Sequence, residues 1–293
     1  MNVRFRIFAT FALLLGLLVT ASCSTNQATG RSQLNVLSPE REIEIGEKAA
    51  PQFLEEGGGP IPDPAIQKYV ADLGHRLAAL SERPDLPWEF HTLDSEMINA
   101  FALPGGKVFI SRWLMKEMTN EAQLAGVLGH EVGHVTAKHI NDRMAQQMIV
   151  AAVVAGAGVA ASTSDDEYIR ILGGTAAGAG GTLYLLSFSR SQEHESDDLG
   201  IRYMVKAGYN PQGQVQVMEI LKEASGKGGV EWLQTHPLPD SRIRELQELI
   251  DDQYAYTKNN PNFKLGEASF KANVLDRLAK LPDPKHPPQS EHK

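Results

Sequence analysis

A single cysteine, Cys23, stands in a chain of 293 residues. No disulfide can close within the chain, so its stability has to come from packing. The sequence has no Gly-x-x-x-x-Gly-Lys-Ser/Thr loop and no Cys-x-x-Cys pair, which argues against nucleotide-driven and thiol-redox chemistry. Positive charge is also scarce. Lys and Arg number 28 against 36 Asp and Glu, a formal charge of -8, whereas neutralising nucleic-acid phosphates requires clustered Lys and Arg. Neither nucleic acid nor nucleotide is therefore expected as a partner. No internal repeat is present, and the 26 Gly and 16 Pro lack collagen periodicity. At 42% hydrophobic residues the chain is too apolar for disorder, and its length accommodates a substantial core.

Residues 1–22 read as a targeting segment outside the fold. Arg4 and Arg6 precede an apolar run from Phe8 to Val19 that only Thr10 and Gly16 interrupt. The run is shorter than the roughly 20 residues of a spanning helix and suits a signal-peptide core. Thr20-Ala21-Ser22 then leads into Cys23. This resembles a bacterial lipobox, although Thr20 stands where Leu is usual. The resemblance implies that Cys23 is lipidated and becomes the first residue of the mature chain, a membrane-anchored lipoprotein. Ser24, rather than Asp, follows it, the pattern of outer-membrane lipoproteins facing the periplasm in the bacterial cell envelope.

Beyond the cysteine, Ser, Asn, Gln and Gly predominate as far as Leu37, so residues 23–37 read as a flexible tether. Ser38 before Pro39 opens a helix to about Leu54, and Asp63-Pro64 opens another. The second carries one apolar stripe of Ile66, Tyr69, Val70, Leu73, Leu77 and Leu80. Trp88–Leu93 and Lys107–Ser111 are short β-prone runs, with a Pro-Gly-Gly turn before the second. A helix is expected from about Asn120 to Met148, and others at about 190–207, 211–224 and 240–256. Between them, Met148–Ala161 and Ile171–Ser189 are uncharged and Ala/Gly-rich. That stretch reads either as a packed helical hairpin or as a movable or membrane-touching cover. The expected architecture is one predominantly α-helical α+β domain with a small β-sheet, spanning residues 38–281, before a disordered tail at 282–293.

The chemistry concentrates in His130-Glu131-Val132-Gly133-His134. Residues four apart share a helix face, so both imidazoles can bind one metal ion. Glu131, about 100° further round the helix, can reach a metal-bound water as general base. A third ligand is needed. Glu193 is the better candidate, 59 residues after His134, with Asp197 four residues on as acceptor for an imidazole N–H. His194 and Glu195 compete on chemistry alone but would point elsewhere on that helix. His75, His91, His139, His286 and His292 lack partners at useful spacing and read as structural or solvated.

Taken together, HEVGH, Arg190-x-x-Glu193-x-x-x-Asp197, the stretch Asn99 to Gly106 and Thr235-His236-Pro237 resemble the M48 (Ste24/HtpX/Oma1-like) zinc metallopeptidases, especially their periplasmic lipoprotein members. The resemblance runs from about Ser38 to Ile250. It implies a zincin-like (gluzincin) fold and one Zn2+ per chain, held by His130, His134 and Glu193, with Glu131 as catalytic base. Asp197 and Arg190 are then supporting residues around the ligands. Asn99, Ala100, Phe101 and Ala102 become a substrate-aligning edge, and His236 either stabilises the oxyanion or occupies a fourth zinc position. Trp113, where Gly is common, and Ser196, where Ala is common, depart from the pattern. Docking through the C-terminal helical-repeat domain that some members carry is not expected.

The expected function is hydrolysis of peptide bonds in misfolded or misassembled envelope proteins, with unfolded or extended polypeptides as partners. A second reading is a zinc-containing chaperone or assembly lipoprotein whose peptidase activity is latent. A third is a metal-free lipoprotein scaffold.

Overall fold

The computed structural model describes residues 23–154, 187–225, 230–237 and 240–284. The expected leader at 1–22, most of the Ala/Gly stretch and residues 285–293 of the tail lie outside the described residues.

The segment expected to be a tether is instead a docked hairpin. Strand β1 (Cys23–Thr25) pairs antiparallel with β2 (Ser32–Leu34), Ser24 opposite Gln33. The polar residues that suggested a tether hold it down. Asn26 and Gln33 are buried, and their amides donate to the carbonyls of Thr136 and Ala137 at 3.1 and 2.6 Å. Asn141 completes the dock. Its Oδ1 accepts from the Val36 and Leu37 N–H groups, both at 3.0 Å, and its Nδ2 donates to the Leu34 carbonyl at 2.9 Å.

Ser38 caps helix α1 (Pro39–Glu56), and Asp63 caps α2 (Pro64–Ala78) by accepting from the Ala65 and Ile66 N–H groups. Such acceptors satisfy N–H groups that the first turn leaves unpaired. The stripe on α2 is its core face: Ile66, Val70, Leu73 and Leu77 are buried.

The sheet has three strands, β3 (Glu89–Leu93), β4 (Ala100–Leu103) and β5 (Lys107–Ser111), in the order β3-β5-β4. β3 is parallel to β5 and β4 antiparallel, Phe101 lying opposite Phe109. The Pro-Gly-Gly turn joins β4 to β5, with Gly105 and Gly106 at φ +74° and +88°, a region open to glycine at little cost. The Ala100–Leu103 run, between the two expected strands in sequence, is thus an edge strand.

After the short helix α3 (Arg112–Glu117) comes α4 (Glu121–Thr136), capped by Asn120 and buried along its whole length. The single long helix expected to Met148 is broken. Lys138 has φ +58°, and α5 (His139–Val154) starts afresh. The hairpin amides on the Thr136 and Ala137 carbonyls take acceptors that a continuing helix would use.

Helices α6 (Arg190–Lys206) and α7 (Gln212–Ser225) pack on α4. Short α8 (Trp232–Thr235) and α9 (Asp240–Gln253) follow. Near the C-terminus, buried Arg112 donates to the carbonyls of Leu278, Leu281 and Pro282 and to Asp94. Trp113 is partly buried against the core, with the Lys116 ammonium 4.6 Å above its ring. No helix among the described residues is long and apolar enough to cross a membrane.

Candidate active site

Helix α4 carries His130, Glu131 and His134, and α6 crosses it where both helices are narrow. A methyl group on Gly133 would meet Ser196 Oγ at 2.8 Å and the Ser196 carbonyl at 2.9 Å; one on Gly129 would meet the Gly200 carbonyl at 3.1 Å. Ser196 Oγ donates to the His130 carbonyl, a bond between the two helices. This close approach brings Glu193 and Asp197 to the histidines.

Four side chains converge. One ligand atom from each of His130, His134, Glu193 and His236 lies within 4.8 Å of the others, and all four residues are buried. The Nε2 atoms of His130 and His134 face each other at 2.9 Å, and Glu193 oxygens lie 3.6 and 3.4 Å from them. His236 Nδ1 is 3.0 Å from Glu193 Oε1 and 3.3 Å from His130 Nε2. Its Nε2 is 3.6 Å from Glu131 Oε1, a buried oxygen with no hydrogen-bond partner.

The surrounding hydrogen bonds fix where the imidazole protons sit. His130 Nδ1 is 2.9 Å from Asp197 Oδ1. A carboxylate only accepts, so that nitrogen carries a proton and Nε2 is the atom left to bind a metal. His134 Nδ1 is 2.8 Å from His139 Nδ1, and His139 Nε2 is 3.0 Å from Glu195 Oε2. Burial pushes the pKa values of His134 and His139 below the ordinary imidazole value, against the pull of Glu193 and Glu195 respectively. Both rings are therefore neutral near pH 7. The Nε2 atoms of His130 and His134 thus face each other and a carboxylate, an arrangement that calls for a cation between them.

Charge supports the same reading. Burial raises the Glu193 and Asp197 carboxyls, but the Arg242 guanidinium together with His236 at Glu193 and His130 at Asp197 outweighs it, and both are depressed, Glu193 well below the usual carboxylate range. Arg242 binds Asp197 through Nε and Nη2 at 2.6 and 2.8 Å and pairs with Glu193 through Nη1. Gln214 donates to Asp197 at 2.8 Å. One guanidinium among the three buried carboxylates Glu131, Glu193 and Asp197 leaves negative charge for a dication to neutralise.

The structure thus brings together His130, Glu131, His134, Glu193, Asp197 and His236. Arg190 is not among them: it is exposed at the first position of α6. The guanidinium in the site belongs to Arg242, which spacing alone does not reveal. His139, Phe188 and Trp232 were also missed. The His134 ring stacks on Phe188 at 3.9 Å between centroids and the His236 ring on Trp232 at 4.5 Å. His194 is exposed and paired with Glu245.

The edge strand β4 lies beside α4. Asn99 is buried, its amide 3.2 Å from Glu231, and the Trp232 N–H donates to the Ile98 carbonyl at 3.1 Å. The segment bearing His236 is therefore hung from the start of this strand. Phe101 stacks on Phe109 and packs at a tilt against Phe53, while Ala100 and Ala102 join the main core. Among the described residues no strand pairs with the outer edge of β4.

A family model described as peptidase family M48 matches residues 64–250. The chain belongs to peptidase family M48. It is 32% identical over 269 residues to the beta-barrel assembly-enhancing protease of Yersinia pestis, covering 86% of this chain and 55% of that one. The protein of the same name from Escherichia coli (strain K12) is 32% identical over 278 residues, 88% of this chain and 56% of the other. The mitochondrial metalloendopeptidase OMA1 of Schizosaccharomyces pombe is 30% identical over 231 residues, covering 76% and 65%. The chain spans about half the length of the first two. M48 metallopeptidases are zinc-dependent, and the buried donor set of this member fits that ion.

Proposed function

We propose that this M48 protein is a zinc metalloendopeptidase of the bacterial cell envelope, lipid-anchored at Cys23 in the outer membrane, that hydrolyses misfolded or misassembled envelope proteins. The observation that carries the peptidase reading is the pair of facing Nε2 atoms beside Glu193. His130, His134 and Glu193 would hold one zinc ion. When bound, zinc supplies Lewis acidity, polarising a carbonyl and acidifying water. Glu131 takes a proton from the attacking water and delivers it to the leaving amine. Asp197 orients His130, while Arg242 fixes Asp197 and Glu193 in place. The backbone edge of β4 aligns an extended chain by strand addition, which selects unfolded segments over folded surfaces. Asn99 contributes by holding the strand to Glu231, and the Phe101 ring packs on the opposite side against α1. The envelope placement rests on the lipobox-like leader, and the substrate class on the name of the bacterial relatives.

The second reading, a zinc-containing assembly factor with latent peptidase activity, is favoured by His236 standing among the ligands. Casein degradation separates the two. Glu131→Gln is expected to lower hydrolysis by about 10²- to 10⁴-fold while the protein retains its zinc. Hydrolysis unchanged in that variant would remove the peptidase assignment.

A further inference from the structure

His139 is fully buried, and the mechanism above does not use it. It lies five residues after His134, off the shared face of any continuous helix, and the break at Lys138 turns it back onto that ligand. It is bonded on both sides. Its Nδ1 meets His134 Nδ1 at 2.8 Å and its Nε2 meets Glu195 Oε2 at 3.0 Å. Glu195 in turn accepts from Arg31 of the N-terminal hairpin, Nε to Oε1 at 2.9 Å and Nη2 to Oε2 at 3.2 Å. Arg31 Nη2 also binds Asp142 Oδ2 at 2.7 Å.

We propose that His139 and Glu195 are positioning residues that hold His134 in its Nδ1–H form, and that Arg31 makes the N-terminal hairpin part of the metal site. The direction of each bond follows from the ends. Arg31 only donates, so Glu195 accepts from it, and the same carboxylate accepts from His139 Nε2–H. With its proton on Nε2 facing Glu195, His139 offers Nδ1 as a lone pair. Only one proton fits between two Nδ1 atoms, so His134 supplies it and turns a bare Nε2 toward His130 and Glu193. His130 is oriented directly by the Asp197 carboxylate; His134 is oriented by a carboxylate one imidazole further away. Partners of this kind fix a ligand's tautomer and ring angle and raise its basicity.

The inference rests on the zinc reading, and its test separates the two. Zinc affinity is measured by competition with a chromophoric chelator on the full mature chain. His139→Leu removes the acceptor facing His134 and is expected to weaken zinc binding by about 10- to 100-fold. His139→Gln, whose amide can accept from His134 and donate to Glu195, is expected to restore most of the affinity. A pure packing role would not distinguish the two variants, so equal loss in both overturns the proposal, as does unchanged affinity in folded His139→Leu. Should His139→Leu fail to fold, the partly exposed Arg31 and Glu195 carry the test: Arg31→Met and Glu195→Met must each raise the zinc dissociation constant, and no change in either overturns the relay. Wild-type protein that binds zinc no better than His130→Ala overturns the metal-site reading itself, and the relay with it.

Discussion

His236 stands where two roles meet. Its Nδ1 lies within 3.3 Å of both Glu193 and His130, and its Nε2 faces Glu131. Its ring is held by stacking on Trp232, which the Arg242 guanidinium also approaches, at 5.3 Å from the ring centre. A side chain so placed can fill the coordination position that catalytic zinc sites keep open. In that role it restrains the enzyme. His236→Ala is therefore expected to increase casein hydrolysis while zinc stays bound through His130, His134 and Glu193. A decrease would assign His236 to the oxyanion, since removing one such donor lowers turnover by about 10²- to 10³-fold.

Helices α4 and α6 create the site by how closely they cross, and Gly133 sets that distance. A β-carbon there would lie under 3 Å from the Ser196 backbone carbonyl, which cannot swing away as a flexible side chain would. Gly133→Ala is expected to destabilise the fold by about 1–3 kcal/mol, read from the denaturant midpoint. It is also expected to release zinc more readily, because Glu193 rides on the displaced helix; unchanged stability and zinc retention would mean that the helices can separate freely. This scale also shows what was legible in the sequence. Both helices, the metal-binding spacing on α4 and the four-residue spacing of Glu193 and Asp197 follow from local pattern. The end of α4 does not. No Pro or Gly marks the break at Ala137 and Lys138; it is accompanied by Asn26 and Gln33, more than 100 residues earlier in the chain. His139 was unreadable for the same reason. Arg242, 45 residues beyond its partner Asp197, belongs to the site only through tertiary packing, whereas Arg190 shares the helix with the ligands and points into solvent.

Across the whole molecule, the N-terminal hairpin alters how the proposed anchor would act. A polar segment rich in Ser, Asn and Gln reads as a tether when only composition is weighed, since it has little apolar surface to bury. Here its polar groups dock by hydrogen bonding to α4, to Asn141 and, through Arg31, to Asp142 and Glu195. Because β1 begins at Cys23 itself, a lipid on that residue would hold the peptidase domain directly against the bilayer, favouring substrates presented there. Each docking bond contributes about 1 kcal/mol net, offset in part by the entropy lost in ordering the segment. The balance can be measured. A chain starting at Ser38 is compared with one starting at residue 23 and carrying Cys23→Ser, so that neither is lipidated. The shorter chain is expected to melt lower, by about 2–4 °C for each kcal/mol of docking energy lost in a protein approaching this size, and to bind zinc more weakly because Arg31 has gone. Identical melting and zinc affinity in the two chains would return residues 23–37 to the role of a passive linker, leaving the metal site independent of how the protein is anchored.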